Sequence, residues 1–90
     1  MKVGISSTGK GLDSRIDMRF GRCPIFIIVD IDKKKIKSHE TVKNTARMLG
    51  GGAGITASQI IGNEKVDAVI AINLGPRAFD VLQQLGIEIY

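Results

Sequence analysis

Ninety residues, 43% of them hydrophobic and 24% charged, suffice for one domain (1–90) with a modest core, and the net charge of +4 suits an anionic ligand. The single cysteine, Cys23, rules out an intrachain disulfide framework and points to a reducing, cytoplasmic setting. No apolar run is long enough for a signal peptide or a membrane span, and three Phe with one Tyr give no stacking platform for single-stranded nucleic acid.

In chain order, Val3-Gly4-Ile5-Ser6 alternates and predicts a first strand over 2–7. Residues 8–22 form a loop long enough to be functional or mobile. Pro24 then opens Ile25-Phe26-Ile27-Ile28-Val29-Asp30, a β-branched and aromatic run that predicts a second strand over 24–31. Asp32-Lys33-Lys34 is a turn. A third strand over 34–42 puts Ile36 and Val42 on one face and Lys35, Lys37, His39 and Thr41 on the other, the pattern of a sheet edge protected by charge.

The stretch Gly50-Gly51-Gly52-Ala53-Gly54 feeds a helix from Ala53 to about Asn63, with Ala53, Ala57, Ile60 and Ile61 as its apolar stripe. Asp67 to Ile72 is nearly all apolar and predicts a central strand covered on both faces. Pro76 suits the first position of a second helix, Ala78, Val81, Leu82 and Leu85 form its inner face, and Gly86 ends it. Residues 87–90 read as a last strand.

This βββαβαβ order predicts an α/β fold. A meander of three strands is followed by two right-handed crossovers, which gives the spatial order 3-2-1-4-5 with strand two antiparallel to the rest. That topology brings Ser6-Ser7-Thr8, Phe20 to Cys23, Gly50 to Gly54 and Asn73 to Arg77 to the carboxyl edge of the sheet, where ligands bind in open α/β sheets. Two helix N-termini supply free N–H groups and partial positive charge there. The expected anion site comprises Arg22, Gly51, Gly52, Ala53, Gly54, Gly75 and Arg77, with Arg19 and Arg47 nearby. Cys23 is the one soft ligand, and arginines and helix ends beside it are expected to favour its thiolate. A small buried hydrophobe is the other reading of a free cysteine.

Other chemistry finds little support. One histidine, His39, placed mid-strand on the lysine face, leaves no Cys–His or Ser–His pair at the edge. Asp13, Asp17, Asp30 and Asp32 do not converge, which disfavours two-metal hydrolysis. Ser7-Thr8-Gly9-Lys10-Gly11 lacks the spacing of a phosphate loop.

Three motifs in order carry a resemblance over essentially the whole chain: Arg19-Phe20-Gly21-Arg22-Cys23-Pro24 with the strand after it, Gly51-Gly52-Ala53-Gly54-Ile55, and Gly75-Pro76-Arg77-Ala78-Phe79 with Leu82, Gly86 and Ile87. Together they resemble the dinitrogenase iron–molybdenum cofactor biosynthesis family, of the NifX, NafY and NifB C-terminal type. The resemblance implies a ribonuclease H-like fold. It also implies a non-enzymatic carrier of an iron–sulfur or iron–molybdenum precursor cluster, with cluster donor and acceptor proteins as partners. A small-anion or nucleotide-binding regulatory module of the same fold is the alternative. In two places the chain departs from the family pattern: Met18-Arg19 stands where a histidine often precedes the Phe-Gly pair, and Cys23 stands where alanine is common. The family also usually continues with a further C-terminal helix after the last strand found here.

Overall fold

A computed structural model describes residues 1–90. Strands β1 (Lys2–Ser7), β2 (Ile25–Asp32) and β3 (Lys35–Lys43) form the meander. A 3₁₀ turn (Thr45–Met48) leads to α1 (Ala53–Asn63), β4 (Ala68–Ile70), α2 (Pro76–Gln84) and β5 (Glu88–Ile89). The sheet order is β3-β2-β1-β4-β5, as the topology argument requires. β2 is antiparallel to β1 and β3, whereas β4 is parallel to β1 and β5.

Local chemistry explains most boundaries. Lys33 and Lys34 both take positive φ, at 52° and 67°, between the paired residues Asp32 and Lys35. A two-residue loop with positive φ at both positions has a twist that matches the flanking strands, so it closes the β2–β3 hairpin tightly. At the end of α2, Gly86 lies at φ 73°, its N–H bonds Gln83 O, and the Ile87 N–H bonds Leu82 O. This pair of bonds is a Schellman motif, and Leu82 and Ile87 meet in the core beside it.

Both helices lie on one face of the sheet. Phe26, Ile28 and Val69 from the strands pack there with Ala57 and Ile61 of α1 and Ala78 and Leu82 of α2. Val3, Ile27, Val29 and Ala68 form a second cluster on the opposite face, with Ile5, Ile25, Ile31 and Ile70 around it. Strand residues alone build that cluster.

Three details differ from the sequence reading. A β-bulge between Asp30 and Ile31 pairs Ile31 with Ile36 and Asp30 with Ser38, skipping Lys37. Ile36 therefore turns to the second face while Val42 packs against the main core, so the two do not share a face. β4 is only three residues long and has helices on one face rather than both. The long loop is tied down in its second half. Asp17 N–H bonds Ser6 O, Ile16 bridges Ser7, and Arg19 bridges Asn73, so residues 15–19 fill the gap beyond β4 at the carboxyl edge.

Candidate functional site

The carboxyl edge is built from two helix starts. Gly52 is the residue before α1 and adopts φ 72°, ψ 15°, a left-handed conformation that glycine takes at little cost. Gly75 precedes α2 in an extended conformation, and Pro76 fills the first helical position. Neither helix has a side-chain cap, and neither has an acidic residue in its first turn. The first intrahelical bonds are Thr56 N–H to Gly52 O and Phe79 N–H to Gly75 O. The amides of Ala53, Gly54, Ile55, Arg77 and Ala78 are thus left without intrahelical acceptors.

These two starts face one open cleft of about 310 Å³, lined by Gly52, Ala53, Gly54, Ile55, Gly75, Pro76, Arg77 and Ala78. Close packing between the helices sets its width. A Cβ on Gly54 would stand 3.4 Å from the Ala78 Cβ. The buried Ser58 hydroxyl donates to Gly54 O at 2.8 Å and lies 3.4 Å from Ala78 O, tying α1 to the start of α2. Arg77 is exposed at the rim and contributes the guanidinium.

Five of the eight expected residues are brought together here: Gly52, Ala53, Gly54, Gly75 and Arg77. The other three are placed differently. Gly51 is exposed and outside the cleft lining, with nothing within 4 Å of a Cβ built on it. Arg22 donates through Nη1 to Arg47 O at 2.9 Å and to Leu49 O at 2.5 Å. It thereby satisfies carbonyls at the end of the 3₁₀ turn and anchors the approach to the glycine-rich stretch; it does not line the cleft.

Cys23 is the clearest correction. It is wholly buried in the main core, with its thiol 3.4 Å from Phe20 O. Burial pushes the thiol up to about 11, the opposite of the thiolate expected from its cationic neighbours. The Asn44 side chain near the sulfur works against that rise but does not overcome it. The thiol packs within the core and does not line the cleft. No group of three or more His, Cys, Asp or Glu could hold a metal ion. The edge offers N–H groups and guanidinium to an anion, and no ligating set.

Two organising residues escaped the sequence reading. Asn44 is buried; its Nδ2 donates to Cys23 O at 2.9 Å and Gly21 O at 3.2 Å, while its Oδ1 accepts from Ala46 N–H. It fastens the Phe20 to Cys23 turn to the 3₁₀ turn. Asp17 is also buried and accepts from Arg19 N–H at 2.9 Å and from the Arg19 side chain at 3.3 Å. Burial alone would raise this carboxyl, but the Arg19 bonds outweigh it and hold it below the usual value. Asn44 follows the lysine-rich strand and directly precedes a Thr-Ala turn, which is a capping signal in principle. Asp17 carries no such local mark.

Comparison with known proteins bears on the family and the fold. The family model described as dinitrogenase iron-molybdenum cofactor matches residues 1–90. The chain belongs to the dinitrogenase iron-molybdenum cofactor family. An uncharacterised protein of Methanocaldococcus jannaschii, MJ0580, is 41% identical over 91 residues, covering 100% of this chain and 77% of that one. Among solved structures, the apo form of the orange protein from Desulfovibrio gigas aligns with a TM-score of 0.88 at 34% identity, over 98% of this chain and 72% of that one. The NMR structure of TM1290 from Thermotoga aligns with a TM-score of 0.75 at 33% identity, over 98% and 72% respectively. Family membership and the sheet order thus agree. No helix of the chain is long and apolar enough to cross a membrane.

Proposed function

We propose that this member of the dinitrogenase iron-molybdenum cofactor family is a non-enzymatic carrier of an anionic metal–sulfur cluster, held in the cleft between the starts of α1 and α2. The observation that carries the reading is the pair of uncapped helix N-termini facing one cleft with no acidic residue in either first turn. Five unpaired amides and Arg77 can surround an anion, and the helix dipoles add to their attraction. The cluster is cargo and keeps its own inorganic ligands, since the cleft supplies hydrogen-bond donors in place of thiolates or imidazoles. An open cleft of this kind suits transfer. Cargo would arrive from a cluster-donor protein and leave to an acceptor, in a reducing compartment such as the cytoplasm.

The test is anaerobic reconstitution of the chain with ferrous iron and sulfide, with and without molybdate, followed by desalting and visible absorption. Retained charge-transfer absorption is expected. Arg77→Ala should weaken retention by about 1–3 kcal/mol, the scale of a charge-assisted hydrogen bond. Lys34→Ala, in the hairpin at the opposite edge, should leave it unchanged, and Cys23→Ser should not abolish it. Equal losses from Arg77→Ala and Lys34→Ala would refute a localised site. Absence of any retained cluster, together with saturable binding of phosphate or a nucleotide displaced by Arg77→Ala, would establish the small-anion module instead.

A further inference from the structure

We propose that the carboxyl edge is a docking face for a protein partner whose surface is acidic and partly apolar, the one that exchanges cargo with the cleft. The partner's role rests on the carrier reading; the docking face does not. The placement of the cations singles this edge out. All five arginines lie there: Arg15 in the loop after β1, Arg19 and Arg22 before β2, Arg47 on the 3₁₀ turn and Arg77 at the start of α2. Of the eight lysines, only Lys10 and Lys43 join them. The edge thus holds seven of the thirteen cationic side chains but, in Asp13 and Asp17, only two of the nine carboxylates. The rest of the chain is left with one more carboxylate than cations, although the whole carries +4. The two cations differ in use. Lysine is strongly hydrated and keeps a surface in water, whereas guanidinium is weakly hydrated, grips carboxylates through paired bonds and is enriched where proteins meet.

Local contacts join the arginines into one surface. Arg22 reaches the carbonyls of Arg47 and Leu49, Arg19 bonds the Asp17 carboxylate, and Arg47 is close enough to that carboxylate to help hold it ionised. Arg19 also bridges Asn73, which leads into the start of α2 and Arg77. The ion pairs of the chain are Met1 with Asp30 and Arg19 with Asp17, so Arg15, Arg47 and Arg77 are left for a partner. Apolar side chains stand among them. Met48, 84% exposed, and Leu49 follow Arg47, while Met18 and Ile72 precede the two bridged residues and are also exposed. Arginine and methionine around apolar groups is the composition of a protein interface. The exposed aromatics, Phe79 and Tyr90, line a separate hollow along β5 and give no platform for bases among the arginines. Two copies of so positive a face repel each other, which makes the partner a different protein, one that presents carboxylates. The cargo cleft opens on this same edge with Arg77 at its rim, so docking here covers it.

The probe is a short synthetic peptide alternating glutamate and leucine, titrated into the isotope-labelled chain and followed by amide NMR. No cluster is added, so the result is independent of cargo retention. Saturable shifts are expected around Arg19, from Arg47 to Ile55 and from Asn73 to Arg77, and not in the β2–β3 hairpin. Arg47→Gln combined with Met48→Ser should weaken binding by about tenfold, and because both side chains are exposed the fold should survive. Lys33→Gln combined with Lys34→Gln removes twice the charge from the opposite edge and should change binding by less than about twofold. Polyglutamate and polyuridylate supply charge without leucine and should bind at least about tenfold more weakly than the peptide. The proposal is overturned by shifts that spread over the hairpin, by equal losses in the two double variants, by polyglutamate or polyuridylate binding as tightly as the peptide, or by no saturable binding. Peptide binding by a chain that retains no cluster would uphold the docking face while removing the carrier reading.

Discussion

Gly21 is the glycine on which the site depends most, and replacing it with alanine tests how the carboxyl edge is assembled. A Cβ at this position would stand 2.9 Å from Gly54 N, 3.1 Å from Gly54 Cα and 3.2 Å from the Ala53 carbonyl carbon. All three are backbone atoms in the first turn of α1, so no side chain can swing aside. Either the Phe20 to Cys23 turn or the helix start must retreat. The turn is held by Asn44 to Gly21 O and Cys23 O, and the helix start is held by Ser58 and the α1–α2 contact. Forcing a methyl group into such a contact costs about 1–3 kcal/mol. For a domain of this size, each kcal/mol lowers Tm by about 4–8 °C. Gly50→Ala and Gly51→Ala are the controls. Neither glycine has positive φ, and an added Cβ meets nothing within 4 Å at either. Both should be neutral or stabilising by up to about 1 kcal/mol, through a less flexible unfolded chain. Urea denaturation of the three variants checks this. The packing argument fails if Gly21→Ala matches the parent within about 0.5 kcal/mol, or if the controls lose as much as it does.

Other outcomes follow from single groups. Gly86→Ala must hold alanine at φ 73° in the Schellman turn and should cost about 1 kcal/mol by chemical denaturation; no loss would mean that α2 ends differently in solution. With its thiol raised to about 11, Cys23 should react with a disulfide reagent at pH 8 only slowly in the folded protein and rapidly in denaturant; prompt native labelling would contradict its burial. Asp17→Asn should destabilise by about 1 kcal/mol near neutral pH. Because the folded carboxyl sits below its unfolded value, that stabilisation is complete above the unfolded pKa and fades as pH falls through the folded one. The gap between Asp17→Asn and the parent should therefore close in acid; a gap that widens would reverse the assigned sign.

Much of the fold is legible in the sequence because its signals are local. The apolar period of α1, Pro76 at the start of α2, Gly86 after its end and the β-branched run of β2 each state a backbone preference within a few residues. Right-handed crossovers then leave few ways to order the strands, and the predicted order is the one found. The convergence of Gly52 to Gly54 with Gly75 and Arg77 follows from that topology. Tertiary structure alone decided the rest, because it depends on neighbours distant in sequence. Arg22 and Cys23 adjoin in the chain, yet the guanidinium reaches the carbonyls of Arg47 and Leu49 while the thiol turns into the core beside Phe20 and Asn44. No spacing rule separates a cationic side chain that binds a ligand from one that satisfies a loop carbonyl. The bulge that skips Lys37 and the filling of the gap beyond β4 by residues 15–19 are likewise settled by what lies across the sheet. The physical reason is common to all of them: an unpaired carbonyl or a gap in the packing exists only once the chain has folded, and the side chain that answers it is chosen by distance in space.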